Sequence, residues 1–251
     1  FMIVQRLTFS TGNQTLPVVD ESDLFLTDNI ERAAVRHWIL DGSENQYISK
    51  VKRGTLTVVG SVASASSGVT TSGSSGYLDS DVADPSDQMT ICMVVKMPVA
   101  RSLNTVLASN FKTSPVRGAL LTLTGSDLYP KIFISDDNSH QNAVLSKKPV
   151  SASEYFVVIA SKECSSVTKL SKIYAAGEYV DVSDTGVDDV TSEFSLSFGW
   201  SAGLSDATYE DGPLEISEII VFDKSMARSE MIDLAYRCRL RGLQRGLSVS
   251  A

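Results

Sequence analysis

Two glutamates, Glu215 and Glu218, interrupt the apolar run "PLEISEIIVFD" between Pro213 and Asp223. Two carboxyl groups are the usual equipment for cleaving a glycosidic bond. They must stand about 5–5.5 Å apart for a retaining reaction, or about 6.5–9.5 Å for an inverting one, on either side of the same bond. The run has the composition of a β-strand, in which successive side chains point to opposite faces. Residues three apart then face opposite ways, so without a bulge these two acids cannot share a substrate. No catalytic residue is expected here.

Other reactive side chains form no better constellation. His37 and His140 are more than a hundred residues apart, and no G-x-S-x-G elbow, phosphate loop or dinucleotide fingerprint occurs. Cys92, Cys164 and Cys238 fit no metal spacing and read as free thiols, Cys92 in an apolar strand and Cys238 on the apolar side of a helix. "SDDNSH", Ser135 to His140, has the oxygen-rich look of a calcium loop but lacks the D-x-D-x-D-G spacing and remote glutamate of an EF-hand. It reads as an acidic turn, as does "DTGVDDV", Asp184 to Val190. No metal or other cofactor is expected, calcium being the one with any sequence feature in its favour. For ligand binding the informative stretch is "GWSAGLSDATYEDG", Gly199 to Gly212, which holds Trp200, Asp206, Tyr209 and Asp211. An aromatic platform beside carboxylates on a loop suits a sugar. The competing reading packs Trp200 against the edge of the fold and leaves the loop inert. Trp38, in "RHWILDG", reads as core.

The elements that must position these residues are short strands. "HWIL", "TLTVVG", "MTICMVVKMP", "NTVLASN", "ALLTLTG", "KIFIS", "EYFVVIAS", "KLSKIYAAG", "EFSLSFG" and "LEISEIIVFD" are rich in Val, Ile, Thr, Phe and Tyr and are bounded by turn residues. In "MTICMVVKMP" both parities are apolar, the mark of a central strand with neither face in water. Such strands with almost no helix between them predict an all-β antiparallel two-sheet sandwich. The exception is a C-terminal helix over about 227–241, where Met231, Leu234, Ala235 and Cys238 form one stripe. Its arginines, Arg237, Arg239 and Arg241, read as a solvated helix end favoured by the dipole, and Gly242 reads as its stop.

One domain is expected. Residues 1–60 are its N-terminal arm or first strands, residues 61–76 a Ser/Gly-rich loop within "GSVASASSGVTTSGSSG", and residues 77–251 the sandwich with its closing helix. Hydrophobic residues at 43% and charged residues at 21% permit a core and exclude general disorder. The net charge of −8 disfavours nucleic acid and anionic lipid as partners. No apolar run approaches the length of a membrane span. The opening "FMIVQRLTFSTGNQ" lacks the pattern of a signal peptide, which with the thiols predicts folding in a reducing cytosol.

Taken in order, these runs resemble the laminin-G-like branch of the concanavalin A-like lectin/glucanase superfamily over roughly residues 77–241. "MTICMVVKMP" is similar to its "FTI-x-hydrophobic-VK-P" strand, "NTVLASNFK" to "TLFS", and "EYFVVIASKE" to "WH-x-VAV-x-Y-D". "SKIYAAGEYVDV" resembles the "L-x-LYVNG" hairpin and "FSLSFGWSA" the "L-x-IG" strand. "GPLEISEIIVFDKSMARSEMIDLAYR" resembles the closing strand and helix, "G-x-I-AEV-hydrophobic-x-Y-(D/N)-x-A-L-S-x-x-E". Ala176 departs from the Asn of the NG turn, and Ala227 from the Ser or Thr that caps the helix, leaving only Glu230 of the capping box. The resemblance implies a jelly roll. It also implies that Glu218 is a structural acid, partly buried near the helix. Hydrolases of the superfamily carry E-x-D-x-(x)-E on one strand, and here Ser217 stands where the Asp is needed.

The resulting expectation is a non-enzymatic structural or adhesive module of a bacteriophage virion (tail, fibre, neck or capsid-decorating protein). It would assemble in the host cytoplasm, bind other virion proteins or itself through residues 1–60 or the arginine-bearing helix, and contact surface glycans once outside. A carbohydrate-binding lectin domain and a glycoside hydrolase with an atypical site are the alternatives.

Overall fold

The computed structural model describes residues 29–84, 87–113, 116–135, 140–165, 168–185, 192–204, 209 and 212–251. Strands β1 (Arg36–Ile39), β2 (Leu56–Gly60), β3 (Ala63–Ala65), β4 (Gly68–Ser72), β5 (Gly76–Ser80), β6 (Gln88–Lys96), β7 (Thr105–Ser109) and β8 (Lys112–Thr113) come first. They are followed by β9 (Val116–Leu123), β10 (Pro130–Ser135), β11 (His140–Val144), β12 (Tyr155–Cys164), β13 (Thr168–Ala175), β14 (Glu178–Thr185), β15 (Ser197–Phe198), β16 (Pro213–Phe222) and β17 (Val249–Ser250). A one-turn helix α1 (Asn29–Arg32) precedes them, and α2 (Arg228–Gln244) lies between β16 and β17.

The strands form two sheets. One runs β14-β13-β12-β6-β16-β4-β3, with β1 also on β16 and β17 on β12, and the other runs β11-β10-β9-β7-β15-β5-β2, with β8 on β9. Apart from the two-residue β12–β17 contact, the strand pairings are antiparallel. This is the antiparallel two-sheet sandwich with one C-terminal helix that the strand pattern predicts, and the jelly roll that the resemblance implies.

Alternation explains the layers. Met89, Ile91, Met93 and Val95 of β6 enter the core between the sheets with Phe156, Val158, Ile216 and Ile219, opposite Leu78, Leu107, Leu121 and Ile132 of the second sheet. Trp38 is fully buried there, edge-on to Phe198 with centroids 6.2 Å apart. The other parity of β6, Cys92 and Val94, joins Val157, Ile159, Ile220 and Phe222 in a second core, which Met231, Leu234, Ala235 and Cys238 of α2 cover. Both faces of β6 avoid water because the helix lies over the outer one.

Two local expectations are corrected. Residues 61–76 are not a loop: they build β3, β4 and a 3₁₀ turn at Gly73–Ser75, with Val69 and Thr71 fully buried. The small residues fit tight places. A Cβ on Gly68 would lie 2.5 Å from the Ile216 carbonyl oxygen, and one on Gly76 would lie 1.8 Å from that of Ser61. Nor does α2 stop at Gly242. It continues to Gln244 and closes with Leu247 N donating to Gly242 O (2.9 Å) and Gly246 N to Leu243 O (3.0 Å), the bond pair of a Schellman motif with Gly246 at its left-handed position. At the other end the backbone N of Ala227 donates to Glu230 Oε2 at 2.8 Å, so the surviving half of the capping box is made.

The β13–β14 hairpin turns through Ala176 (φ 48°) and Gly177 (φ 82°), the signs that a type I′ turn requires. An alanine side chain is strained in this region, where asparagine or glycine is not. Ala176→Asn is therefore expected to raise stability by about 1 kcal/mol, read as a higher urea midpoint with an unchanged slope.

Candidate functional site

Strand β16 contains a bulge. Ile216 pairs with Val95 and Glu218 with Val94, leaving Ser217 as the extra residue. Ile216 and Ile219 consequently both enter the inner core, and Glu215 and Glu218 both emerge on the outer face, on the side of α2. The expectation that the two acids point to opposite faces is overturned, because one inserted residue resets the parity. They still do not form a pair, since their surroundings differ completely.

Glu218 is fully buried. Its Oε1 accepts from His37 Nε2 at 2.7 Å and from Arg241 Nε at 2.8 Å, and its Oε2 lies 3.8 Å from Arg245 Nη2. Arg241 Nη1 reaches Glu31 of α1 at 2.6 Å, and Arg237 Nε reaches the same carboxylate at 2.8 and 3.0 Å. The reading of Arg237 and Arg241 as a solvated helix end is corrected: Arg241 is buried and Arg237 is paired. Burial pushes the Glu218 carboxyl up, but Arg241, His37 and Arg245 outweigh it and hold the group at about 2. Burial depresses His37, an effect that the hydrogen bond to Glu218 only partly offsets. The ring is therefore neutral at pH 7, with its proton on Nε2 facing the carboxylate. A carboxylate enclosed in this way cannot reach a substrate.

Because the folded-state value lies below the unfolded one, the Glu218 contribution is complete above about pH 4.5 and is lost as pH falls towards 2. Glu218→Gln is expected to cost about 3–5 kcal/mol at neutral pH, since it leaves Arg241 half-compensated. Urea midpoints measured from pH 6 down to pH 2 should fall more steeply in the wild type than in this variant.

Glu215 faces a cleft of about 220 Å³ at the end of the first sheet, lined with Thr70, Lys96, Val99, Arg101, Ser153 and Pro213. Its Oε1 accepts from Ser67 Oγ at 2.6 Å and from the Tyr155 hydroxyl, and Lys96 Nζ stands 3.1 Å from Oε2. Burial works to raise its pKa, but Ser67, Tyr155 and Lys96 bring the net value below the ordinary one, so the acid is ionised. Tyr155 is pushed up to about 12, first by burial and then by donating to Glu215. Arg101 Nη2 donates to Pro213 O at 2.9 Å, while its Nη1 is buried against Gly212 with no partner among the described residues. The cleft thus offers one fixed acceptor, a lysine and the guanidinium of Arg101 in its lining. That set can bind hydroxyl and carboxylate groups.

The residues expected to bind sugar are only partly united. Trp200 is 9% exposed and packs with Tyr77, Val106, Phe111, Leu120 and Leu204 on the outer side of the second sheet. Tyr209 borders that cluster, half-buried, and bridges to Asn104. Asp206 and Asp211 lie outside the described residues, as do the middle of the Ser135–His140 turn and most of Asp184–Val190. His140 stacks on Phe133 at 5.6 Å. The loop that starts at Trp200 ends at the cleft: a Cβ on Gly212 would meet Arg101 Nη1 at 2.2 Å. Sequence reasoning missed Ser67, Lys96, Arg101 and Tyr155, which come from separate segments and share no spacing. Trp200→Ala is expected to lower stability by about 3 kcal/mol through the cavity it leaves, seen as a reduced denaturation midpoint.

No protein-family profile matches the chain, and no curated protein does. Solved structures do share its fold. Botulinum neurotoxin type C, which interacts with two ganglioside molecules, matches at 14% identity and TM-score 0.62, over 83% of this chain and 52% of that one. The binding domain of botulinum neurotoxin DC in complex with SialylT matches at 14% identity and TM-score 0.58, over 82% and 52%. A Trypanosoma rangeli sialidase mutant displaying trans-sialidase activity matches at 9% identity and TM-score 0.60, over 83% and 33%. The chain spans about half the length of the toxin structures it matches. At these identities the likeness is one of fold, a jelly-roll β-sandwich.

Proposed function

We propose that this chain is a non-enzymatic adhesive module that holds a saccharide in the Glu215 cleft, and that it serves as a structural component of a bacteriophage virion. The observation that carries the binding reading is the cleft that gathers the ionised and fixed Glu215 with Lys96 and Arg101. Lys96 is matched by Glu215, whereas Arg101 has no carboxylate opposite it among the described residues, so a sugar bearing an acidic group fits better than a neutral one. The ganglioside and SialylT partners of the toxin structures are consistent with this chemistry. The non-enzymatic reading is supported by the enclosure of Glu218, which among the described residues lining the cleft leaves Glu215 without a second acid to flank a glycosidic bond. The virion setting rests on the resemblance noted in the sequence and on the free thiols.

A glycan array carrying neutral and acidic saccharides tests the binding. Wild type is expected to retain acidic glycans, and Arg101→Ala to bind them about tenfold or more weakly, the loss of a charge-assisted hydrogen bond. Capture of no glycan, or equal capture by both proteins, removes the reading. An assay for reducing ends released from retained glycans is expected to stay at background, and turnover abolished by Glu215→Gln would restore the hydrolase. Neighbouring tail or capsid genes are expected, and a neighbourhood without any would remove the virion setting.

A further inference from the structure

Cys92 and Cys238 meet at the joint between β6 and α2, their Sγ atoms 3.6 Å apart. Both are buried, 1% and 0% exposed, and they are 146 positions apart in sequence. Sulfurs in van der Waals contact need only a small approach to reach the bonded distance of about 2.05 Å. Arg241 Nη2 donates to Cys238 Sγ at 3.1 Å, placing a positive charge where a thiolate would form. Cys164, by contrast, is on the far end of β12 and only partly covered.

We propose that Cys92 and Cys238 are a site of reversible disulfide formation that staples α2 to the first sheet, with a low-molecular-weight disulfide such as oxidised glutathione as co-reactant. The Cys238 thiolate attacks one sulfur of the reagent, breaking its S–S bond and releasing one small thiolate, and a mixed disulfide forms on Cys238. The Cys92 thiolate then attacks Cys238 Sγ, forming the protein disulfide and releasing the second small thiolate. Two protein thiols lose two electrons, the reagent gains them, and the two protons leave on the released thiols. While the helix is docked, burial and the neighbouring Cys238 hold the Cys92 thiol well above its ordinary value. The exchange therefore proceeds during folding or when α2 lifts. Once made, the bond blocks that lifting and leaves the pairs of Arg241 with Glu218 and Glu31 in place.

The full chain is refolded from urea in a glutathione redox buffer, which exposes all three thiols to the reagent. Thiol titration and peptide mapping then read the product. The expected result is a drop from three free thiols to one, a single Cys92–Cys238 linkage, and a higher urea midpoint that dithiothreitol reverses. In Cys238→Ser the linkage and the midpoint shift are both lost, although the variant folds when reduced. Three thiols remaining free, glutathione adducts alone, linkages that include Cys164 in comparable amounts, or a Cys92–Cys238 linkage without added resistance to urea would each overturn the proposal.

Discussion

The arrangement depends on one buried charge. Glu218 lies beneath α2 with no exposure to water, where a lone carboxylate costs several kcal/mol and tends to become protonated instead. It is ionised because Arg241 descends on it from the helix while His37 donates from β1. Arg241 also grips Glu31, so a single guanidinium links β16, α2 and α1, and His37 brings in β1. Apolar contact alone would let a helix slide or rotate over a sheet. A guanidinium that must meet two carboxylates at once permits only one placement. The network therefore specifies where the helix sits more than it adds to net stability.

The bulge at Ser217 makes this charge network and the cleft compatible. On its N-terminal side β16 pairs with β4, and on its C-terminal side with β1. The inserted residue lets Leu214 and Ile216, and then Ile219 and Val221, all face the inner core. In a strand without it, one of these sets would have to face outward or one glutamate would enter the apolar interior. The insertion sends both acids to the outer face at different distances from the helix. The nearer is sealed in a cage of cations, and the farther reaches the rim and meets Lys96 and solvent. Two similar residues in one short run thus acquire different roles from position alone.

Most of the fold was legible from alternation and helical periodicity. The double-sided pattern of β6 announced its central place, and the stripe from Met231 to Cys238 announced the helix and its buried face. The bulge was not legible, because it follows from which strands lie against β16 and from the close approach of Gly68, residues far away in sequence. Residues 61–76 read as a loop since serine and glycine are common in loops, but here small residues are required by contact. Arg241 left a signal that the dipole argument hid: it falls three residues after Cys238 and seven after Leu234, on the helix's own apolar stripe. An arginine there must find a buried acid, and Glu218 was available. The cleft was least legible. Ser67, Lys96, Arg101, Tyr155 and Glu215 come from five segments, and only the folded chain brings them together.

The placement of α2 also determines where a ligand can approach. In a bare sandwich the outer face of each sheet is open, but here the helix occupies the outer face of the first sheet and its side chains fill the second core. On the second sheet, Trp200 and its neighbours pack over the outer surface and leave little of the indole uncovered. Open polar surface is thereby displaced to the rim, where strands end and loops supply polar atoms. The Glu215 cleft is such a rim site, fixed on one side by β6 and β16 and closed on the other by Arg101 against Gly212 and Pro213. The sandwich shared with toxin binding domains and a sialidase can therefore serve different ligands, since the common part is the core and the chemistry lies in the few side chains that each chain places at its edge.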